Sequence, residues 1–447
     1  MSPILSRLSF KPGIGLIVFG SLLVGFILAV MLVLVPFAGT PENVISGVVL
    51  LCFAFGWAIL GILSSRLTDQ PQRWTAAPAI LMASAGSMLL TWPGAVLHDT
   101  FNWLWPPVVA ALVAWMVVES RRSLRSRASF ALLYPVFGVL LVSALGAAYE
   151  TLRETLDERS NAMPGQLVSV GDHRLHIHCT GAGSPTVVLE PGLGEPSSMM
   201  AGWIAPAVAT RTRVCVYDRA GRGWSEPAAS PEDGVAVATS LHALLERAGE
   251  QGPYVLAGHS AGGIYVLNFA HLYPDDVAGV VLLDSMHPDQ YARLPGWPLF
   301  HALFRRASAL MPSLSRIGAG RVIFRTAASG LPPQARSEER AFVATPAHNR
   351  SVRDEFAQLR TALRQAGELR SLGDKPLVVL TADRGAKAGW QPLQEELARL
   401  SSNSIHRQLP DAEHASLTED QGAAAESSQA IRDVVEAVRM LEAAQNR

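Results

Sequence analysis

The chain has 447 residues, of which 49% are hydrophobic, and its formal net charge at pH 7 is −1. A chain of this length is expected to form two or three domains, and its balanced charge argues against a nucleic-acid partner. The long apolar stretches lie almost entirely within the first 150 residues. The sequence therefore divides into an apolar first part and a more polar second part.

Five segments of the first part contain no Asp, Glu, Lys or Arg, and they lie at residues 12–41, 43–65, 74–98, 100–118 and 128–149. Each is about long enough to cross a hydrocarbon core ~30 Å thick, which needs roughly 20 helical residues. We therefore predict an all-α transmembrane region of about five helices over residues 1–150. Adjacent Pro106 and Pro107 predict that the fourth helix starts after them, because proline disrupts a helix interior.

Basic residues occur in every second loop of this region, namely Arg7, Lys11, Arg66, Arg73, Arg121, Arg122, Arg125 and Arg127. The loops at 37–43 and 98–102 contain no Lys or Arg. Because loops rich in Lys and Arg stay in the cytoplasm, this pattern predicts a cytoplasmic N-terminus. Everything after Tyr149 is then expected on the extracytoplasmic side, periplasmic or extracellular. The spans carry no internal charge, which favours an anchor over a transport path.

Residues 151–165 form a charged linker, predicted to continue the fifth helix as far as a break near Gly165. Beyond it, strand patterns alternate with helical patterns. The predicted strands lie at 166–170, 175–179, 186–189, 213–217, 254–257, 279–283, 377–381 and 405–409, and the predicted helices include 237–248, 264–273 and 430–444. This alternation predicts an α/β domain over residues 166–447 with a mostly parallel sheet. Reactive groups then belong at the carboxyl ends of the strands.

The sequence Gly258-His259-Ser260-Ala261-Gly262 is the most informative motif of this domain. It has the pattern G-x-S-x-G, and it stands between a predicted strand and a predicted helix. A serine hydroxyl is a poor nucleophile unless a base and oxyanion-stabilising donors lie beside it. A sharp strand-to-helix turn presents the hydroxyl in that way, so Ser260 is the candidate nucleophile.

Residues 166–447 resemble the α/β-hydrolase family. The resemblance rests on Pro191-Gly192, on Asp218-Arg219-x-Gly221-x-Gly223-x-Ser225, on Gly258–Gly262, on His414 after the last strand, and on the order Ser, acid, His. It implies a doubly wound sheet and a Ser–acid–His triad that needs neither a cofactor nor a metal. The 90 residues between Asp284 and Lys375 exceed an ordinary connection, so a helical cap insertion is expected at about 287–372.

His414 is the candidate base, because it follows the last strand of the sheet that also carries Ser260. It would accept the serine proton and return it to the leaving group. Two residues remain candidates for the acid of the triad. Relatives commonly carry the acid after the strand 377–381, where their motif position falls on Gly385 and where Asp383 is the nearest carboxylate. Other relatives place it one strand earlier, where Asp284 stands, and Asp284 is preferred here.

The resemblance also implies an oxyanion hole made by the backbone N–H groups of Ala261 and Leu193. Many relatives have His where Pro191 stands, but backbone donors do not depend on that side chain. Cys179 and Cys215 lie in strands that the family's sheet order makes neighbours. An oxidising compartment permits a disulfide there, and two buried thiols are the alternative.

These features predict a membrane-anchored serine hydrolase that cleaves a small-molecule or lipid-like ester through an acyl-serine intermediate. Epoxide hydrolases and haloalkane dehalogenases of similar fold need a carboxylate at the position of Ser260, which argues against both. An acyltransferase, a peptidase or a carbon–carbon bond hydrolase would use the same triad. A non-catalytic receptor or scaffold is the alternative from another class, and the presence of Ser260 and His414 argues against it.

Overall fold

The computed structural model describes residues 13–34, 40–92, 95–125, 127–326 and 330–445. It divides into two compact units. The first comprises Met1–Arg153 together with Arg316–Ala319, and the second comprises Glu154–Ser315 and Gly320–Arg447. Arg7 and Lys11, on which the orientation prediction partly rests, lie outside the described residues.

The first unit is helical. Its helices are α1 (Ile14–Leu34), α2 (Glu42–Leu67), α3 (Ala76–Thr91), α4 (Ala95–Ser123), α5 (Arg127–Ala131) and α6 (Tyr134–Ser160). Five helical segments are long and apolar enough to cross a membrane. The last of these helices, α6, continues beyond its apolar stretch as far as Ser160.

The start of α4 differs from the prediction. The helix begins at Ala95 and runs through Pro106 and Pro107 rather than starting after them. Pro106 has no N–H to donate to the carbonyl of Asn102, four residues earlier. That carbonyl lies 3.2 Å from the Thr151 hydroxyl of α6, whose single proton it shares with the Ala147 carbonyl at 3.0 Å. A neighbouring helix can help to satisfy a freed carbonyl in this way, and α4 continues through both prolines.

The second unit contains an eight-stranded sheet in the order β1-β2-β4-β3-β5-β6-β7-β8. The strands are β1 (Gln166–Ser169), β2 (Arg174–Thr180), β3 (Val187–Glu190), β4 (Val214–Tyr217), β5 (Tyr254–His259), β6 (Val277–Leu283), β7 (Leu377–Arg384) and β8 (Ser404–Glu413). The pairs β1–β2 and β2–β4 are antiparallel. All other neighbours run parallel, so the strands β3 to β8 end at one edge of the sheet.

The second unit also contains helices that pack on this sheet and helices of an insertion. They are α7 (Ser198–Gly202), α8 (Ile204–Ala209), α9 (Gly234–Ala248), α10 (Gly262–Leu272), α11 (Gln290–Arg293), α12 (Trp297–Arg316), α13 (Ala319–Ile323), α14 (Pro333–Val343), α15 (Pro346–Ala366), α16 (Trp390–Ala398), α17 (Ser416–Glu419) and α18 (Gln421–Gln445). Val187 and Leu189 belong to one buried cluster and Val188 to the other. This alternation follows from the two-residue period of a strand, and burial on both faces explains why Val187, Val188 and Leu189 are all apolar.

Helices α11 to α15 form the insertion between β6 and β7. We refer to the segment from Gln290 to Ala366 as the cap insertion. It lies within the predicted range of about 287–372. Its last helix, α15, packs against α9 and α10 of the sheet domain.

Cys179 and Cys215 form a disulfide. They are directly opposed residues of the antiparallel strands β2 and β4. Of the two alternatives left open by the sequence, the disulfide is therefore the one present. Cys52, in α2, is a free thiol.

Replacement of both Cys179 and Cys215 by Ala is expected to destabilise the second unit. The bridge spans a sequence separation of 36 residues, for which chain entropy predicts a loss of roughly 3–4 kcal/mol. Chemical unfolding of the detergent-solubilised chain measures this loss. Cys52→Ala leaves the bridge intact and is the matched control. Denatured, unreduced protein should show one reactive thiol among its three cysteines, and three reactive thiols would contradict the assignment.

Candidate active site

Ser260 lies in a tight turn between the end of β5 at His259 and the start of α10 at Gly262. Its φ is +55°, a left-handed conformation that is strained for a residue with a side chain. The flanking glycines are required by close packing. A Cβ on Gly258 would lie 2.6 Å from backbone atoms of the following helix, and one on Gly262 would lie 2.2 Å from the carbonyl of Glu190. The turn therefore depends on these two glycines.

The structure brings Ser260, His414 and Asp284 into one hydrogen-bonded chain. Ser260 Oγ lies 2.9 Å from His414 Nε2, and His414 Nδ1 lies 2.6 Å from Asp284 Oδ2. The three residues follow β5, β8 and β6, whose carboxyl ends meet at the same edge of the sheet. A carboxylate beside Nδ1 favours the tautomer with its proton there, which leaves Nε2 free to accept the serine proton.

Asp284 is buried and well supplied with donors. Its Oδ1 accepts a hydrogen bond of 2.7 Å from Trp390 Nε1 and one of 3.3 Å from the backbone N–H of Ala382. Its φ is +43°, the second left-handed residue other than glycine in the described chain. Strain at a residue that touches the base is typical of a functional position, because the surrounding structure must hold it there.

Asp383, the alternative acid, is placed differently. Its carboxylate accepts a hydrogen bond from the side chain of Gln391. The next residue, Arg384, pairs with Glu413 at 3.3 Å. Within the described part of the chain, Asp383 makes no hydrogen bond to His414. Asp284 is therefore the acid that contacts the imidazole.

The two expected oxyanion donors come from different segments of the chain. Ala261 is buried and forms the N-cap of α10, where backbone N–H groups are free of intrahelical acceptors. Leu193 lies in the turn that follows β3. Among the described residues, neither N–H donates to a protein acceptor. Both donors thus remain available for a developing negative charge.

An ion pair between buried His259 and partly buried Glu195 lies next to the serine turn, and sequence reasoning missed it. His259 Nδ1 lies 3.2 Å from Glu195 Oε2, and His259 Nε2 lies 3.2 Å from the backbone carbonyl of His414. Because both partners only accept hydrogen bonds, both ring nitrogens must carry protons. Burial opposes the charge, but the Glu195 carboxylate outweighs it and raises the pKa of His259. The charged imidazole thereby ties the His414 loop to the serine turn.

No sequence signal singled out Glu195. His259 occupies the variable position of the motif, and Glu195 lies 64 residues earlier in an irregular segment. Trp390 was missed for the same reason, since it meets Asp284 across 106 residues. Another histidine, His176, contacts the motif residue Asp218, with 2.8 Å between His176 Nδ1 and Asp218 Oδ2. That pair, together with the hydrogen bond from Ser197 N–H to Asp218, holds the Asp218 motif loop in the core.

Comparison with known proteins identifies the fold. The family model described as alpha/beta hydrolase fold matches residues 185–421, more than half of the chain. The chain belongs to the α/β hydrolase fold family. Its five apolar helices precede the matched region.

Individual relatives of this α/β hydrolase are distant. An uncharacterized protein of Schizosaccharomyces pombe is 27% identical over 327 residues, which cover 63% of this chain and 58% of that protein. An uncharacterized vacuolar membrane protein of Saccharomyces cerevisiae is 28% identical over 134 residues, which cover 26% of this chain and 21% of that protein. The chain thus spans less than two thirds of the length of these curated relatives.

Among solved structures, the Cif epoxide hydrolase from Acinetobacter nosocomialis aligns with a TM-score of 0.54 at 15% identity. The alignment covers 64% of this chain and 96% of that structure. At this identity, the similarity shows the shared fold alone.

Asp284→Asn is expected to slow the reaction of Ser260 with a fluorophosphonate probe by orders of magnitude. An amide cannot hold His414 in the required tautomer, and such a change at a triad acid can cost about 10⁴ in turnover. Asp383→Asn, which alters a carboxylate bound to Gln391, is the matched control and should react at nearly the wild-type rate. Labelling kinetics of both purified variants test this. A slow Asp383 variant beside a normal Asp284 variant would reverse the assignment.

Proposed function

We propose that this protein is a membrane-anchored serine hydrolase that cleaves a carboxylic ester through an acyl-serine intermediate. The observation that carries the proposal is the chain from Ser260 Oγ through His414 to Asp284, with contacts of 2.9 and 2.6 Å. This chain begins at a serine held in a strained strand-to-helix turn. Nucleophile, base and orienting acid are the parts that acyl transfer needs.

The reaction would proceed in two halves. Ser260 Oγ attacks the ester carbonyl carbon while His414 Nε2 takes the hydroxyl proton, and the oxygen that becomes negative is held by the N–H groups of Ala261 and Leu193. His414 then gives the proton to the departing alcohol oxygen, which leaves the acyl group on Ser260. A water molecule, deprotonated by His414, attacks this acyl-serine, and the proton returns to Ser260 as the acid departs. Asp284 stabilises the imidazolium in both halves.

The proposed substrate class rests on the apolar helices that precede the catalytic unit in the chain. Five helices able to cross a membrane would keep the catalytic unit close to a lipid surface. A small-molecule or lipid-like ester is therefore the proposed substrate. Ser260 stands where an epoxide hydrolase of this fold needs a carboxylate, so the epoxide hydrolase activity of the structural neighbour is not proposed here.

Ser260→Ala is expected to abolish both fluorophosphonate labelling and ester turnover. Loss of such a nucleophile lowers turnover roughly a millionfold. Ser402→Ala, at an exposed serine that bonds the carbonyl of Gly373, is the control and should keep full activity. A series of esters from short to long acyl chains then distinguishes small-molecule from lipid-like substrates.

Labelling that persists in the Ser260 variant would overturn the nucleophile assignment. Labelling of the wild type without hydrolysis of any ester would instead favour the acyltransferase, peptidase or carbon–carbon hydrolase alternatives, which use the same triad. A wild-type protein that does not react with the probe at all would favour a receptor or scaffold.

We further propose that the catalytic unit lies on the extracytoplasmic side. The distribution of basic residues supports this orientation, and the disulfide Cys179–Cys215 is typical of an oxidising compartment.

Protease added outside sealed cells or spheroplasts is expected to digest the chain beyond residue 165. The loop from Arg121 to Arg127 should stay protected until lysis, because its arginines favour the cytoplasmic side. Immunoblots against tags at the C-terminus and in this loop measure the digestion of the catalytic unit and the protection of the loop. Digestion of the loop in intact cells, with the C-terminal tag protected, would reverse the proposed orientation.

A further inference from the structure

The turn that contributes Leu193 to the site is held by side chains at four points. We refer to residues 191–194 as the oxyanion turn. Arg219 donates to two of its carbonyls, from Nη1 to Pro191 O at 2.7 Å and from Nη2 to Gly192 O at 2.5 Å. Two carboxylates accept its N–H groups: Glu195 accepts from Gly192 at 2.6 Å, and Glu355 accepts from Gly194 at 3.0 Å.

These contacts fix the direction of the Leu193 N–H without touching it. In a trans peptide the carbonyl of one residue and the N–H of the next point in opposite directions. Because Arg219 holds the Gly192 carbonyl, the Leu193 N–H must point away from the guanidinium. The N–H groups on both sides of it are already bonded. Leu193 is therefore the donor of this turn that is left for a ligand.

Arg219 is in turn held by two acids. Its guanidinium contacts Glu190 at the end of β3 and lies 3.0 Å from Glu355 Oε1 on cap helix α15. It also lies over the ring of Tyr265, 4.7 Å from the ring centre. All four side chains are buried. A guanidinium with its donors bonded in this way has little freedom to turn.

Glu355 thus reaches the oxyanion turn by two routes, directly through the Gly194 N–H and indirectly through Arg219. Arg222 is its second cationic partner, and the Tyr265 hydroxyl donates to it at 2.9 Å. Burial alone would favour the neutral acid, but Arg222 and Arg219 outweigh it and lower the pKa of Glu355 to about 2. Glu355 therefore stays an anionic acceptor at any pH at which a hydrolase would be assayed.

We propose that Glu355 is a positioning residue that couples the cap insertion to the oxyanion hole. By anchoring Arg219 and Gly194, it keeps the Leu193 N–H aimed at the developing oxyanion, so the hole is complete only while α15 is seated. The inference rests on the proposed serine-hydrolase function and adds a cap residue to that machinery. A purely structural role for Glu355 is the alternative, and it would alter stability without a selective effect on the oxyanion.

The decisive experiment compares Glu355→Gln with wild type on an activated ester and on its thionoester, in which sulfur replaces the carbonyl oxygen. Sulfur accepts hydrogen bonds weakly, so an aligned hole favours the oxygen substrate. We expect kcat for the ester to fall about 10- to 100-fold with little change in KM, because removal of one whole oxyanion donor costs about 10²–10³. The ratio of the ester rate to the thionoester rate should also fall, because a misaligned hole no longer favours oxygen over sulfur.

Tyr265→Phe is the matched control. It removes one hydrogen bond to Glu355 from the same buried network, yet the hydroxyl does not touch the oxyanion turn and the ring beneath Arg219 is kept. Its rate ratio should stay at the wild-type value. Thermal unfolding of each variant separates a loss of stability from a loss of alignment.

Arg219→Lys provides a second test if the Glu355 variant does not fold. A single ammonium cannot bridge both carbonyls of the turn as the guanidinium does, so the rate ratio should fall in this variant as well. A folded Glu355→Gln protein with the wild-type ratio would overturn the proposal, even if its kcat were lower. Failure of wild-type Ser260 to react with a fluorophosphonate would instead overturn the proposed function, and this inference with it.

Discussion

The left-handed backbone at Ser260 is the constraint to which the rest of the catalytic unit conforms. A side-chain-bearing residue at φ +55° is strained, and it persists only where other contacts hold it. The Ser260 N–H donates to the Leu283 carbonyl at 3.0 Å, and the Ser260 carbonyl accepts from Met286 N–H at 2.9 Å. Both partners flank Asp284, which is itself left-handed. One set of backbone bonds therefore fixes the nucleophile and the acid together.

The neighbouring strands make this arrangement feasible. Since β5 and β6 are parallel and adjacent, the segments that leave them emerge side by side at the same edge of the sheet. His414 arrives from β8, two strands beyond β6 in the sheet. The order of strands in space, rather than their order in the chain, sets the distance between acid and base. This is the reason why reactive groups of open α/β sheets collect at the carboxyl edge.

Two groups of charged side chains hold segments that contribute to the site. One group is the pair His259–Glu195, of which His259 directly precedes Ser260, and the other joins Arg219 and Arg222 to Glu355. Buried charges of this kind contribute little net stability, because desolvation offsets most of their attraction. Their value lies in orientation. Each group holds a loop that carries no regular secondary structure, and loops of that kind otherwise have many conformations of similar energy.

Much of the architecture could be predicted from local sequence. Charge-free stretches, strand periodicity and the motif around Ser260 are each properties of short segments, and the hydrophobic effect acts on them locally. The candidate nucleophile, the candidate base, the apolar helices and the existence of the cap insertion followed from these segments. The cysteine pair could be named from the sequence, but its state could not, because it depends on the Cα–Cα distance across two strands.

The tertiary structure decided the rest. The sequence favoured Asp284 over Asp383 only slightly, and the arrangement of β6, β7 and β8 brings Asp284 to His414 across 130 residues. The path of α4 through its prolines is likewise a tertiary feature, with a hydroxyl of α6 within hydrogen-bond distance of the carbonyl that Pro106 leaves free. Glu195 and Glu355 lie in segments without any motif, and they matter because of what the fold places beside them. Contacts between residues so distant in sequence leave no local pattern. The sequence by itself therefore determined the secondary-structure elements and the candidate nucleophile and base, and the tertiary structure determined which side chains contact them.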